Sequence, residues 1–262
     1  VTVDTGGPMY AEERQQAIAA LVARSARLSV SDLAGKFAVT TETIRRDLST
    51  LERSGLVRRV HGGVVASQAL SVLEVAVSDR DRSSAAEKDR IAHAALDLVP
   101  ENGSVILDAG TTTARLAGAL PTDRRLEVTT HAVPIAARLV GNPAVELRLL
   151  PGRVRATTQA AVGEDTVAAL EPLLADVVFL GTNGISAAHG LSTPDHSEAA
   201  VKRAIVAAGR QVVLLADSDK LGQEHLVRFA RLDQVDVIVT DDRATPEQIE
   251  TLTDAGIKVV LA

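Results

Sequence analysis

Two groups of residues in this 262-residue chain have the types and spacing for chemistry. The first is Asp108-Ala109-Gly110-Thr111-Thr112-Thr113, which follows an apolar run and precedes a helical pattern. Small residues there let backbone N–H groups close on an anion at a helix N-terminus. Gly110 gives the backbone room, Thr111 and Thr112 can donate to a phosphate, and Asp108 can accept from sugar hydroxyls. A Gly-Thr turn alone is also an ordinary helix cap. Four later apolar runs end in comparable loops: Thr130-His131, Pro151-Gly152-Arg153, Gly181-Thr182-Asn183-Gly184 and Asp217-Ser218-Asp219-Lys220. Open α/β sheets bind ligands outside the carboxyl ends of their strands, so these loops together point to one binding edge. Glu198 and Lys202 lie four apart on an expected helix. They either pair with each other or face one pocket. Lys202 and Lys220 are the expected cationic partners of a phosphate.

The second group is Thr41-Glu42-Thr43-Ile44-Arg45-Arg46, with Arg58, Arg59 and His61 shortly after. Burying Ile44 leaves Thr41, Thr43, Arg45 and Arg46 near the outer face of a helix. Arginine pairs bidentately with guanine, and threonine touches bases or phosphates. Arg58, Arg59 and His61 suit phosphate or minor-groove contact. Asp47 reads as a local salt-bridge partner, not a base reader.

Other chemistries are poorly supplied. There is no cysteine, so thiol catalysis, disulfides and thiolate zinc sites are excluded. The six histidines show no metal-ligand spacing. No P-loop and no Gly-x-Gly-x-x-Gly follows a strand, so neither ATP nor NAD is expected and no cofactor is assigned. An isomerase would need a general base, for which Glu198, Asp108 and Asp217 are the available carboxylates. The same carboxylates suit a binder that accepts sugar hydroxyl protons, which is the favoured reading.

The elements that must hold these residues fall into two parts. Residues 1–66 carry nine Lys/Arg against seven Asp/Glu, and the remaining 196 carry 19 against 27. The net charge of −6 thus averages a mildly basic and an acidic part. The first part reads as a helix over Ala11–Arg24, a short helix opened by Ser29, and a helix capped by Thr40 running to Arg53. A Leu56–Val60 strand, a His61-Gly62-Gly63 turn and a return strand follow. Residues 67–90 read as a linker, leaving a first domain over 9–66 and an effector-binding and oligomerisation domain over 91–262. In the latter, strands at 105–107, 128–130, 147–150, 177–180, 212–215, 237–239 and 259–261 alternate with helices, the signature of a mostly parallel α/β sheet. With 46% apolar residues the chain can bury a large core, yet no apolar run reaches the ~18–20 residues of a membrane span. Residues 1–8 lack the pattern of a secretory signal, so the cytoplasm is expected. Only four aromatic rings are present, too few for a base-stacking platform, which leaves duplex grooves and polar loops as recognition modes.

Helix, short helix, turn, helix and hairpin form a winged helix-turn-helix pattern, whose second paired helix enters the major groove. The string Thr43-Ile44-Arg45-Arg46-Asp47-Leu48 with His61-Gly62-Gly63, and the segments Asp108-x-Gly-Thr-Thr, Glu198-Ala-x-x-Lys202 and Asp217-x-x-Lys220, resemble the DeoR/GlpR family of bacterial transcriptional regulators. The resemblance covers residues 9 to about 255. It implies an operator-binding winged helix and a C-terminal α/β sensor domain similar in fold to sugar-phosphate isomerases. It also implies a phosphorylated sugar as effector, with fructose 1-phosphate a first guess, and a repressor released by that sugar. The family commonly has Asn where this chain has His131, and a Gly pair where it has Pro151-Gly152. Paired reading heads imply a homodimer or homotetramer joined through the sensor domain. An activator, a sugar-phosphate isomerase with an accessory winged helix and a protein-docking winged helix are the alternatives.

Overall fold

The computed structural model describes residues 11–23, 28–53, 57–60, 63–66 and 77–262. The chain divides into two compact units, Val1–Ser71 and Val72–Ala262. In the first, α1 (Ala11–Ala23), α2 (Val30–Lys36) and α3 (Thr41–Arg53) accompany a small sheet of β1 (Leu28–Ser29), β2 (Val57–Val60) and β3 (Gly63–Ala66) in the order β1-β3-β2. The helix starts follow from hydroxyl caps: Ser29 Oγ accepts from the Asp32 N–H and Thr40 Oγ1 from the Thr43 N–H. Ile18, Val22, Leu33, Ile44, Leu48, Leu51, Val57 and Val64 form the core. Asp47 is buried within it and accepts from Arg14 Nε at 2.6 Å and Gln15 Nε2 at 2.9 Å. This ion pair ties α3 to α1, so the acid is a long-range strut.

The second unit opens with α4 (Val77–Arg82) and α5 (Ala85–Ala94). Both lie inside or across the stretch read as a linker. Arg115 explains part of this: its guanidinium holds Asp81 at 2.5 Å and Asp89 at 2.8 Å, which fastens both helices to the sheet layer. Then come β4 (Asn102–Leu107), α6 (Thr111–Ala119), β5 (Arg125–Thr130), α7 (Val133–Leu139), β6 (Val145–Leu149), the hairpin β7 (Arg153–Arg155) and β8 (Ala160–Val162), and α8 (Glu164–Leu170). They are followed by β9 (Ala175–Leu180), β10 (Gly184–Ser186), β11 (Gly190–Thr193), α9 (His196–Ala207), β12 (Gly209–Leu215), β13 (Val227–Ala230), β14 (Val237–Thr240), α10 (Pro246–Asp254) and β15 (Lys258–Leu261).

Seven strands form one parallel sheet in the order β15-β14-β12-β9-β4-β5-β6. These are the seven expected apolar runs. Both sheet faces are buried: Val105, Leu107, Val177 and Phe179 pack with Ile91, Leu116 and Ile135, whereas Ile106, Val178 and Leu180 pack with Leu170, Val201 and Ile205. Two-sided burial is why these strands read as continuous apolar runs without alternation. The chain runs outward from β4 through β5 to β6, then returns to lay β9 against the other side of β4. The switch point therefore lies between the ends of β4 and β9. The hairpin β7-β8 and the three-stranded sheet β10-β11-β13 were absent from the sequence expectation. Among the described residues no helix is long and apolar enough to cross a membrane.

Candidate functional site

A cleft lies at the β4/β9 switch point, where the topology opens a crevice at the carboxyl ends of the strands. It is lined by Arg80, Lys88, Gly110, Thr111, Thr112, Gly181, Asn183, Glu198, Lys202, Asp217 and Lys220, among others. Nine of these were singled out in the sequence. Arg80 and Lys88 were not, because they precede the strand-loop pattern and belong to the stretch read as a linker.

Asp108 sits behind the lining, fully buried. Its Oδ2 accepts from Lys202 Nζ and from the Gly181 N–H at 2.9 Å, which joins the ends of β4 and β9. Burial alone would raise this carboxyl. The Lys202 charge leads the interactions that outweigh burial and hold it at about 2. Lys202 Nζ also donates to the Gly181 carbonyl at 2.9 Å and stands 5.3 Å from the Phe229 ring centre, a cation–π contact. Its charge is therefore consumed by the protein. Of the two lysines expected as phosphate partners, Lys202 is a buried counter-ion of Asp108, whereas Lys220 makes no ion pair among the described residues.

Glu198 does not pair with Lys202. It accepts from Arg155 Nη1 at 2.7 Å and from the Thr158 hydroxyl, which secures the β7-β8 hairpin over α9. His131 supports the site from behind. Its Nδ1 lies 2.8 Å from the Ala161 carbonyl and so carries hydrogen. Its Nε2 is 3.1 Å from both Ala109 N and Asp108 Oδ1. A neutral ring accepts there from Ala109, and only the imidazolium donates to Asp108.

The opposite end of the cleft is electropositive. Lys88 is 3% exposed, and its Nζ donates to the Arg80 carbonyl at 2.5 Å and the Ser83 carbonyl at 2.6 Å. Burial lowers its pKa to about 8; Asp217, 3.9 Å away, opposes this, while Lys220, Arg115 and Arg80 add to it. Asp217 is 2% exposed, yet its Oδ1 has no hydrogen-bond partner; Arg80 Nε is likewise buried without one. Gly110 precedes α6 and supplies no capping side chain, so the first N–H groups of that helix look into the cleft uncapped.

Besides Asp108 and His131, three expected ligand contacts lie outside the lining. Thr130 spends its hydroxyl on the Leu107 carbonyl at 2.7 Å and on the Ala132 N–H. Gly152 has φ +137°, and a Cβ there would meet Thr166 Oγ1 at 2.2 Å, so this glycine serves the turn. A Cβ on Gly184 would meet the Gln223 carbonyl at 2.4 Å, so it permits close approach of two chain segments.

In the first unit, Thr41, Arg45 and Arg46 on α3 are exposed, and Thr43 is half-buried with its hydroxyl 2.9 Å from that of Thr40. Arg45 makes only a long, exposed pair with Glu42 at 3.6 Å. Arg58 and Arg59 belong to β2, and His61 lies outside the described residues.

Residues 14–69 match the DeoR-like helix-turn-helix domain and residues 83–242 the DeoR C-terminal sensor domain. The chain is similar to the HTH-type transcriptional regulator GlpR of Haloferax volcanii, at 34% identity with 96% of this chain and 98% of that one covered. It is 30% identical to the glycerol-3-phosphate regulon repressor of Escherichia coli K12, covering 97% of this chain and all of that one. It is also 29% identical to a putative aga operon transcriptional repressor of Escherichia coli O157:H7, over 95% and 93%. Looser overlays are found with ribose 5-phosphate isomerase A of Methanocaldococcus jannaschii (TM-score 0.39, 15% identity, 53% of this chain and 55% of that one). A probable sor operon regulator of Shigella flexneri overlays at TM-score 0.41 and 15% identity, over 68% and 92%. With both halves matched and relatives aligned end to end, the chain belongs to the DeoR family of helix-turn-helix transcriptional regulators, and it is a DNA-binding regulator and not an enzyme.

Proposed function

We propose that the protein represses a sugar-metabolism operon in the cytoplasm and leaves its operator when a phosphorylated sugar fills the switch-point cleft. The observation that carries the effector class is the pairing of an uncapped helix N-terminus with Arg80, Lys88 and Lys220 at one end and the Glu198 carboxylate at the other. A phosphate monoester suits the first and sugar hydroxyls suit the second. The relatives named for repressing a glycerol-3-phosphate regulon and an aga operon support the same class. Gly110, Thr111, Thr112 and Lys220 face the phosphate, Asn183 and Glu198 face the hydroxyls, and Asp217 sits among the cations beside Lys88. Asp108, with Lys202, Gly181 and His131, is the buried frame beneath them. On the DNA side, Thr41, Thr43, Arg45 and Arg46 read the major groove, and Arg58, Arg59 and His61 touch the backbone. Two or four chains assemble through the sensor unit to present paired heads to half-sites.

The test is a duplex-binding assay with DNA flanking the gene, run across salt concentrations and then with a panel including fructose 1-phosphate, fructose 6-phosphate and glycerol 3-phosphate. Sequence-specific, salt-sensitive binding released by one panel member is expected. Binding that no phosphorylated sugar weakens would refute the effector reading. Absence of specific duplex binding would refute the operator reading.

A further inference from the structure

We propose that Arg80 is a phosphate ligand of the cleft and the contact through which cleft occupancy acts on the chain entering from the DNA-binding unit. This rests on the phosphate-sensing reading above and adds a residue and a route to it. The cations around the cleft are not equivalent. Lys202 is matched by Asp108, and Arg155 by Glu198 and Asp195. Among the described residues neither Arg80 nor Lys220 makes an ion pair, and Lys88 has only two carbonyls and a carboxylate at 3.9 Å. Three cations therefore face one acid, Asp217, at the end where α6 presents uncapped N–H groups. A phosphate dianion would nearly balance that end. Arg80 Nε is buried and unpartnered, a costly state that an anion would relieve.

The position of Arg80 gives this contact its consequence. Arg80 lies on α4, the first described element that follows the winged-helix unit in sequence. The helix α4 is held at its ends: the Val77 N–H donates to the Thr157 carbonyl at 2.9 Å, and Asp81 takes Arg115. Its middle is held by Lys88 on the Arg80 carbonyl. A phosphate bridging Arg80 to the first turn of α6 adds a charge-assisted tie at that middle. Binding then restrains a segment six residues beyond Ser71, where the first unit ends. A ligand shifts an equilibrium only by contacting its two states unequally, and Arg80 supplies such a contact.

The test is hydrogen exchange on the full-length protein, with inorganic phosphate titrated against chloride at constant ionic strength. In the wild type, exchange is expected to slow both at residues 109–116 and at 77–88. R80Q is expected to lose the response at 77–88 at every phosphate concentration, while R82A, on the exposed side of the same helix, retains it. A wild type that responds at 109–116 but not at 77–88 overturns the proposal. So does an R80Q protein that still slows at 77–88. No response at 109–116 in the wild type overturns the phosphate site itself, which distinguishes failure of the underlying reading from failure of the Arg80 route.

Discussion

Replacing Asp108 by Asn tests the frame on which the cleft is built. Asn preserves shape and can still accept from the Gly181 N–H, but it removes the charge that neutralises Lys202. Lys202 is 4% exposed and would keep only neutral partners: the oxygen of the introduced amide, the Gly181 carbonyl and the Phe229 ring face. Stranding one partner of a buried ion pair costs about 3–5 kcal/mol. For a unit of this size each kcal/mol moves the melting temperature by roughly 2–4 °C, so a fall of around 10 °C is expected for the sensor unit. An independent route gives a compatible figure. Asp108 is held at about 2 in the fold against 3.8 when free, which corresponds to about 2 kcal/mol at neutral pH. That figure is smaller because it is already net of the cost of burying the carboxylate. The sign is set by a depressed folded pKa: the contribution is full above 3.8 and is lost as pH falls through about 2. The assay is thermal unfolding followed at pH 7 and pH 3, with the double variant D108N/K202M alongside. D108N should melt well below wild type at pH 7, with a smaller deficit at pH 3, and the added K202M should recover much of the loss. A D108N protein melting within about 2 °C of wild type at pH 7 would refute the argument that this pair is charged and closed to water.

Four further outcomes follow from the same geometry. Arg45→Ala and Arg46→Ala should each weaken operator binding by about 1–3 kcal/mol where the arginine reads a base, measured by titration at fixed salt; unchanged affinity in both removes α3 as the reading helix. Asp47→Ala should destabilise the winged-helix unit by about 1–3 kcal/mol by removing the acceptor that Arg14 and Gln15 share, seen as early loss of its helical signal in urea, and a neutral result would show the pair to be solvated. Gly152→Ala should cost roughly 1–3 kcal/mol in the sensor unit through a left-handed backbone and the Thr166 clash, with the urea midpoint as readout. Lys88, lowered to about 8 by burial, makes stability rise between about pH 8 and 10.5, since only the unfolded chain holds that proton there; Lys88→Met should flatten the rise, and an unchanged slope would place the proton elsewhere.

Much of this architecture was legible because it rests on local rules. Ser29 and Thr40 cap the helices they were expected to cap. The seven apolar runs are the seven sheet strands, since burial on both faces forces near-continuous hydrophobicity. Elements whose stability comes from distant partners were not legible. A helix was expected from about Ala85 and α5 begins there, but α4 lies in the polar stretch read as a linker, where Arg115 and Lys88 give it partners further along the chain. The short strands β7, β8, β10, β11 and β13 are stabilised by hairpin pairing and by α9, with no periodicity of their own to announce them.

The same limit explains what the sequence left unsorted among the site residues. A loop motif tells which residues are near a strand end but not which way each points. Thr130 and Thr111 are both threonines after apolar runs; one spends its hydroxyl on the neighbouring strand, and the other opens a helix facing the cleft. Lys202 and Lys220 are both lysines near carboxylates, yet burial assigns them opposite roles. A fully desolvated carboxylate such as Asp108 cannot be left unpaired, so it claims Lys202 outright. Lys220, partly exposed and next to two other cations, has no such claim upon it. The cleft thereby separates a closed ion pair that holds the strand ends together from an open cationic end whose charge is unspent. An anionic ligand can bind strongly only at the second, because at the first it would have to displace an internal carboxylate and strand its charge.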